Sequence, residues 1–357
     1  MAKMVAVEQL VPGDILSDAV LSMSGKVLLG KDIELTARHI SLLNTWDIKN
    51  VFVDMPAGEE MPATEPMPAE SEMTGDGDDM SYLMSEKYAA FAQQYDGIVT
   101  NTVQSFDIIR QQRIIPVAHL KNTAGGIYSS IDGNGLEMMN YLLAEDEQIA
   151  DVISRHAVMV AYFSSIIARQ LKWAEKDIVG VALASLLHDI GDLATSDSKR
   201  QLHLAETAGL LKTAVGVPAE VILGIIQHRE RVNGSGVPKG SKGEAIHPYA
   251  KVIAVADLFH NSAYSLSGSN PFPVLDQLTQ EMYGKFDTGI CQQFIARIKD
   301  SLLLNRIVLS DGRKAEIIFF NRSSYTLPVV RVGENEIIDL AKHPELSIRQ
   351  ILAPMRS

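Results

Sequence analysis

The chain has 357 residues, enough for two or three domains, and its 46% hydrophobic and 21% charged residues are typical of a soluble globular protein. The formal net charge of −12 comes mostly from residues 56–80, which hold eight acidic side chains and neither lysine nor arginine. The rest of the chain is only mildly acidic, which argues against a long nucleic acid as the partner. No apolar run approaches the roughly 20 residues that cross a bilayer, so membrane insertion is not expected.

Cysteine usage and the opening segment indicate a cellular compartment. Cys291 is the only cysteine, which excludes an internal disulfide and a zinc site built from cysteines. The opening segment MAKMVAVEQL lacks the basic and then apolar pattern of a signal peptide. A reducing cytoplasm is therefore the predicted location.

The first part of the chain, residues 1–55, has the pattern of a small α+β module. Three short segments predict strands, namely VAVEQL, KVLL and NVFV at 50–53, and the spacing from Leu35 to Leu43 predicts a helix. Residues 56–80 follow as an acidic, proline-rich linker that is too polar to form a core.

Nearly everything from residue 81 to residue 297 has helical periodicity. The stretch VISRHAVMVAYFSSII repeats apolar positions at spacings of three and four, and DIVGVALASLLHDIG is apolar almost all round, which indicates a buried helix. Pro218 and Pro248 are placed to open helices. Residues 298–357 predict a small β module of two hairpins, closed by a helical LSIRQILA. The fold class is therefore mainly α, a helical domain between two small modules.

Polar residues interrupt the apolar faces of these helices at six positions. A carboxylate buried there costs several kcal/mol unless it is paired or binds a metal. Imidazoles and carboxylates that converge in a helical core form the ligand mix of a Zn, Mn or Fe site, and the competing interpretation is hydrogen-bonded core residues. The six are His156, His188, Asp189, His203, His228 and Asp257.

The order of these residues resembles that of the HD superfamily of metal-dependent phosphohydrolases, and more narrowly its HD-GYP branch. The resemblance covers about residues 145–285 and rests on RHAVMVA, LLHDIGDL, HLAETAGLL, QHRERVNGSGVPKG and AKVIAVADLF. The Gly-x-Gly-x-Pro stretch resembles the Gly-Tyr-Pro signature of the branch, with Val237 in place of tyrosine. The resemblance implies hydrolysis of the bacterial second messenger cyclic di-GMP to pGpG or GMP.

The resemblance also implies two divalent metal ions, Fe or Mn, and assigns their ligands. The first ion would be held by His156, His188, Asp189 and Asp257. Asp189 would bridge to a second ion, held also by His203 and His228. Two such ions share a hydroxide that attacks the phosphate in line. The loop residues Arg229, Gly234, Gly236 and Pro238 are predicted to bind the substrate, and the competing interpretation is a loop that caps the preceding helix.

Several positions depart from the family pattern. Asp192 stands where a lysine usually faces the substrate phosphate, and Arg229 stands where a second histidine is usual. Val152 replaces an acidic residue, and LFHNSAYSLSGSN lacks the basic residues expected there. Arg229 either clamps a phosphate or fills the volume of the second metal, and the sequence does not decide between these roles.

Two hypotheses follow. The first is an attenuated cyclic di-GMP phosphodiesterase in which Asp189, Arg229 and Asp192 form the catalytic positions. The second is a catalytically inactive HD-GYP scaffold or sensor that acts through signalling protein partners. His247 is predicted at a helix N-terminus, and His260 either behind the metal ligands or at the surface. The sequence leaves open whether the chain forms a homodimer.

Overall fold

The structure is a computed structural model of the chain. It describes residues 2–11, 13–18, 20–21, 27–29, 35, 40, 43, 49–54, 86–133, 135–144, 152–193, 200–265, 268–303, 305–320, 326–333 and 336–354. These residues form two compact units, the first from residues 1–76 and 148–152, the second from residues 77–147 and 153–357. Each unit is described by itself.

The first unit contains short antiparallel strands. They are β1 (Ala2–Ala6), β2 (Ile15–Leu16), β3 (Val20–Leu21), β4 (Val27–Leu29) and β5 (Asn50–Asp54). Strands β1, β5 and β2 form one sheet, and β3 pairs with β4. The strands predicted at KVLL and NVFV are confirmed, whereas VAVEQL overlaps β1 only at Val5 and Ala6 before a turn of 3-10 helix. The linker predicted over 56–80 and most of the helix predicted from Leu35 to Leu43 lie outside the described residues.

The second unit is mainly helical, as predicted. Its described helices are α1 (Glu86–Gln112), α2 (Val117–Gly133), α3 (Gly135–Ala144), α4 (Val152–Gln170), α5 (Glu175–Leu187), α6 (Arg200–Thr213), α7 (Ala219–Gln227), α8 (Pro248–Ala263), α9 (Phe272–Glu281) and α10 (Thr288–Leu302). No described helix is both long enough and apolar enough to pass through a bilayer.

Helix α5 is central to this unit. It packs against α2, α7 and α8, and its residues from Val181 to Leu187 are all buried. This confirms that a helix that is apolar all round lies inside the fold. Aromatic rings join α4 to α8 and α10, because the ring of Phe163 lies 4.9 Å from that of Phe259 and 5.8 Å from that of Phe294. The polar residues on these helices are therefore held by a rigid apolar core.

Both prolines stand at helix starts, as predicted. Pro218 is the N-cap residue of α7 and Pro248 is the first residue of α8. An N–H group at a helix start makes no hydrogen bond within the helix, so a proline there costs none. His247 is the N-cap of α8, and its Nδ1 accepts a hydrogen bond from the backbone of Tyr249 at 3.2 Å. The start of α8, and hence the place of Asp257 along it, is fixed by this cap.

A five-stranded antiparallel sheet follows α10. Its strands are β8 (Asn305–Leu309), β9 (Lys314–Phe320), β10 (Pro328–Val332), β11 (Glu336–Asp339) and β12 (Ile348–Pro354), in the order β11-β10-β9-β8-β12. A two-stranded ribbon, β6 (Tyr264–Ser265) and β7 (Gly268–Ser269), lies between α8 and α9. Both predicted hairpins are confirmed.

The helix predicted at LSIRQILA is wrong, because this segment forms β12. Ile348 and Ile351 are both buried, at a spacing of three that is typical of a helix. The pairing of β12 with β8 shifts its register between Ile348 and Gln350. A β-bulge of this kind inserts one residue and turns two positions three apart to the same face. The helical period was therefore produced by a strand with a bulge.

The sheet and the helices share one hydrophobic core within the second unit. Strand β12 packs against α3, and the Asn270 side-chain amide donates to the carbonyl of Ile348 at 2.9 Å. The ring of Phe272 stacks 6.5 Å from that of Phe320. The domain boundaries drawn from the sequence stay a prediction.

Candidate metal centre

Four polar side chains from three helices meet at one point of the helical core. His156 lies on α4, His188 and Asp189 follow the last turn of α5, and Asp257 lies on α8. Each offers one ligand atom, and these four atoms lie within 4.8 Å of one another. The structure thus brings together the four residues that the family resemblance assigns to a first metal. Their roles as ligands stay a prediction at this stage.

The two imidazoles of this cluster are both turned so that Nε2 faces the carboxylates. His188 is fully buried, and its Nδ1 donates to the carbonyl of Ser185 at 2.6 Å. The Nδ1 of His156 is within 2.9 Å of Nδ1 of His260. Because the Nδ1 atom of each imidazole is engaged in a hydrogen bond, its Nε2 atom is available to bind a metal ion at the centre of the cluster.

The distances between the four ligand atoms show that the cluster demands a positive charge. Nε2 of His156 lies 3.1 Å from Nε2 of His188 and 3.3 Å from Oδ1 of Asp257. Nε2 of His188 lies 3.4 Å from Oδ2 of Asp189. A carboxylate, and an imidazole nitrogen without a proton, can only accept hydrogen bonds. Two imidazole nitrogens and two carboxylates therefore lack enough donors to satisfy one another, and a proton or a metal ion must supply the missing positive charge.

The pKa values point the same way. Burial opposes the charged form of His188, but the neighbouring carboxylates of Asp189 and Asp257 outweigh it and raise the pKa of His188 to about 9. Burial also opposes ionisation of Asp257, but hydrogen bonds from His156 and His188 hold its pKa well below the usual value. The two carboxylates are therefore charged and attract a cation. Imidazole nitrogens and carboxylate oxygens are donors that suit Fe, Mn or Zn, so the residues fit a divalent metal ion.

Asp189 presents its second oxygen to a different pair of residues. Its Oδ1 accepts a hydrogen bond from Nη2 of Arg229 at 2.8 Å and lies 3.5 Å from Nε2 of His228. The Nε of Arg229 donates to Nε2 of His228 at 3.1 Å. The family resemblance assigned Asp189 and His228 to a second metal, and in the structure both accept hydrogen bonds from the Arg229 guanidinium. His203 lies on α6, but its side chain is outside the described residues.

The loop after His228 is held by its own backbone and by one buried carboxylate. Glu230 is buried and accepts hydrogen bonds from the backbone amides of Lys239 at 2.8 Å and Ser241 at 3.1 Å. A Cβ atom on Gly236 would collide with the backbone of residues 229–231. Glu230 was missed by the sequence analysis, although a buried acid within a glycine-rich loop is a usual anchor for backbone amides.

The substrate-binding prediction for this loop concerned two glycines and a proline. Gly234 has a φ of 83°, which glycine adopts at no steric cost. Gly236 permits the close approach just described, and a cis peptide bond joins Val237 to Pro238. These residues shape the loop that carries Arg229. Their contact with a substrate stays a prediction.

Asp192 lies one turn beyond Asp189 in a short 3-10 helix, Ile190–Leu193. Its backbone amide donates to the carbonyl of Asp189 at 3.0 Å, and the residue is half-buried. It is not one of the four clustered ligand residues. His260 is buried directly behind His156, which decides between the two places predicted for it. The sequence feature that indicates this position is the spacing of three residues between Asp257 and His260, which puts both on one face of α8.

Comparison with known proteins agrees with this geometry. Residues 138–272 match the model of the HD domain family. The chain is 28% identical over 167 residues to a 3'3'-cGAMP-specific phosphodiesterase of Vibrio cholerae, covering 42% of this chain and 35% of that protein. It is 26% identical over 250 residues to a cyclic di-GMP phosphodiesterase of Pseudomonas aeruginosa, covering 64% of this chain and 59% of that protein. The chain thus spans between about a third and three-fifths of these relatives.

One solved structure has the same overall fold. An HDG"Y"P protein from Bdellovibrio bacteriovorus superposes with a TM-score of 0.52 at 17% identity, covering 82% of this chain and 98% of that one. At this identity the likeness shows the fold alone.

Proposed function

We propose that the chain is a metal-dependent phosphodiesterase of cyclic dinucleotides, because residues 138–272 match the HD domain family and contain a stretch that resembles a degenerate Gly-Tyr-Pro signature. The substrate we propose is cyclic di-GMP, with pGpG or GMP as product. The observation that carries the proposal is the cluster of His156, His188, Asp189 and Asp257 within 4.8 Å. The names of the relatives from Vibrio and Pseudomonas support the class of substrate.

In this proposal the four clustered residues hold a divalent ion, either Fe or Mn. Such an ion, once bound, would supply a Lewis acid for the phosphodiester and would lower the pKa of a bound water. The carboxylates of Asp189 and Asp257 neutralise its charge, and the Nε2 atoms of His156 and His188 complete the set. The surrounding apolar core keeps these groups in place and strengthens their interaction with the ion.

Arg229 is proposed to contact the substrate as well as Asp189. Its Nε and Nη2 donate to His228 and Asp189, and its side chain is 23% exposed. The rest of its planar fork is suited to a phosphate oxygen. Asp192, one turn beyond Asp189, would repel the same phosphate. We propose that this carboxylate makes hydrolysis slow.

A second candidate function is a catalytically inactive scaffold or sensor. The ion pair between Arg229 and Asp189 favours it, because a guanidinium that neutralises Asp189 reduces the demand for metal. Signalling partners, a homodimer and a cytoplasmic location stay predictions under either function.

The test is hydrolysis by the full chain after loading with Mn²⁺. Cyclic di-GMP and 3',3'-cGAMP are supplied separately, and linear products are separated by chromatography. We expect linear product from the wild type and background rates from Asp257→Asn. Asp300→Asn, which removes an exposed carboxylate on α10, is the matched control and should keep wild-type rates. Bound Mn²⁺ without any linear product would contradict the enzyme and favour the scaffold.

A further inference from the structure

We infer that the guanidinium of Arg229 takes the place of a second metal ion, so that this centre binds a single ion. The inference rests on the proposed metal centre and concerns its composition. Instead of two divalent ions, the site would pair one ion with one permanent cation supplied by the chain.

Asp189 faces two cationic positions, one with each oxygen. Its Oδ2 lies 3.4 Å from Nε2 of His188 and 3.9 Å from Nε2 of His156, on the side of the four-residue cluster. Its Oδ1 receives Nη2 of Arg229 at 2.8 Å, on the side of His228. A carboxylate that divides its oxygens in this way bridges two positive charges. Here the second charge belongs to Arg229.

His228 supplies the other half of this second position. It is 1% exposed, and its Nδ1 donates to the carbonyl of Ile225 at 2.6 Å. Its Nε2 therefore carries a lone pair, which accepts the hydrogen bond from Nε of Arg229. An imidazole nitrogen and a carboxylate oxygen are both donor atoms that bind transition metals through a lone pair. Here both atoms accept hydrogen bonds from one edge of the Arg229 guanidinium.

An ion and the guanidinium cannot share this position. A transition metal lies about 2.0–2.2 Å from an imidazole nitrogen or a carboxylate oxygen. The single lone pair of His228 Nε2 already accepts the hydrogen bond from Nε of Arg229 at 3.1 Å, and an imidazole nitrogen cannot accept a hydrogen bond and bind a metal with the same lone pair. A dication a few ångströms from a permanent positive charge is also strongly repelled. Binding of a second ion therefore requires Arg229 to leave.

The fold opposes that departure. Arg229 lies between His228, which is fixed to the end of α7, and Glu230, whose carboxylate holds the loop through the amides of Lys239 and Ser241. Gly236 packs directly on the backbone of Arg229 and of the two residues that follow it. Both ends of this short segment are anchored, so the backbone position from which Arg229 reaches Asp189 is fixed.

The test measures bound Mn²⁺ per chain, which does not depend on turnover. Full-length protein is stripped of metal, loaded with excess Mn²⁺, desalted and analysed for metal. We expect one ion in the wild type and a rise toward two in Arg229→His, because the substitution removes the cation and adds an imidazole. Arg169→His removes the arginine of a different ion pair, with Asp132, and should stay at one. Arg229→Gln, which only vacates the position, should bind a second ion at higher Mn²⁺ concentration.

Electron paramagnetic resonance gives an independent readout. The wild type should show isolated Mn²⁺, and Arg229→His should show an exchange-coupled pair. Two tightly bound ions in the wild type would overturn the inference, as would a single ion in both Arg229 variants. A folded wild type that binds no Mn²⁺ would instead overturn the metal centre and the proposed function with it.

Discussion

The Nδ1 atoms of His156 and His260 lie 2.9 Å apart, so one of these two nitrogens must carry the shared proton. Burial and the neighbouring charge of Arg155 hold the pKa of His260 well below its ordinary value, which keeps His260 neutral. A neutral His260 can accept the proton of His156. That arrangement leaves Nε2 of His156 as a lone pair directed at the metal position.

His260→Ala should therefore weaken Mn²⁺ binding, by roughly tenfold to a hundredfold, because the tautomer and orientation of His156 are no longer fixed. His260→Gln retains an acceptor and should recover part of the loss. Calorimetric titration with Mn²⁺ gives the affinities. His343→Ala, which removes a histidine at the sheet surface, is the control. Equal affinity in wild type and His260→Ala would exclude this role for His260.

Metal binding should displace a proton from His188. Its pKa is raised to about 9, so near neutral pH the metal-free imidazole carries a proton that an ion must expel. We expect release of about one proton per ion, and an affinity that rises with pH up to about 9. Titrations in buffers of different ionisation enthalpy measure this release. Binding without proton release at neutral pH would contradict the prediction.

The same shift affects the stability of the metal-free chain. A histidine whose pKa is raised on folding stabilises the folded state fully below its unfolded pKa of 6.5, and this stabilisation is lost as pH rises through about 9. The free energy of unfolding of the metal-free chain should fall over this range, and bound Mn²⁺ should remove most of the dependence.

Gly236→Ala should destabilise the chain, because the added Cβ collides with the backbone of residues 229–231. The expected loss is about 1–3 kcal/mol of unfolding free energy, the usual cost of overpacking. Gly284→Ala is the matched control, since a Cβ there meets nothing within 4 Å. Chemical denaturation of both variants measures the difference. Equal stabilities would show that the loop relaxes around the new methyl group.

Asp192→Lys should lower the KM for cyclic di-GMP, because it replaces a like charge near the substrate phosphate by an opposite one. A charge-assisted contact of about 1–3 kcal/mol corresponds to a change of roughly fivefold to more than a hundredfold. Asp300→Lys makes the same charge change on the exposed face of α10 and controls for the altered net charge. An unchanged KM in Asp192→Lys, with metal still bound, would show that the substrate phosphate does not lie near this residue.

Helical periodicity and the cost of burial singled out six polar residues, and the resemblance to the HD superfamily selected the four clustered ones among them. His188 and Asp189 end an apolar helix, and Asp257 interrupts another, so their burial required either hydrogen-bond partners or a metal ion. The two C-terminal hairpins were predictable from their turns. The final strand was not, because a β-bulge gave Ile348 and Ile351 the spacing of a helix.

The direction of the Arg229 side chain could not be read from the sequence. Whether a guanidinium faces the substrate or a carboxylate depends on the path of the loop, and that path is set by Glu230 and Gly236. Glu230 and Gly236 act through contacts with backbone atoms up to eleven residues away along the chain, and a local sequence pattern does not predict such contacts.

The most direct test of the metal centre is anomalous X-ray diffraction at the manganese edge from crystals of the full chain loaded with Mn²⁺. The account predicts one strong peak within bonding distance of His156, His188, Asp189 and Asp257, with the guanidinium of Arg229 still on Asp189. The absence of a peak among these four residues would contradict the account.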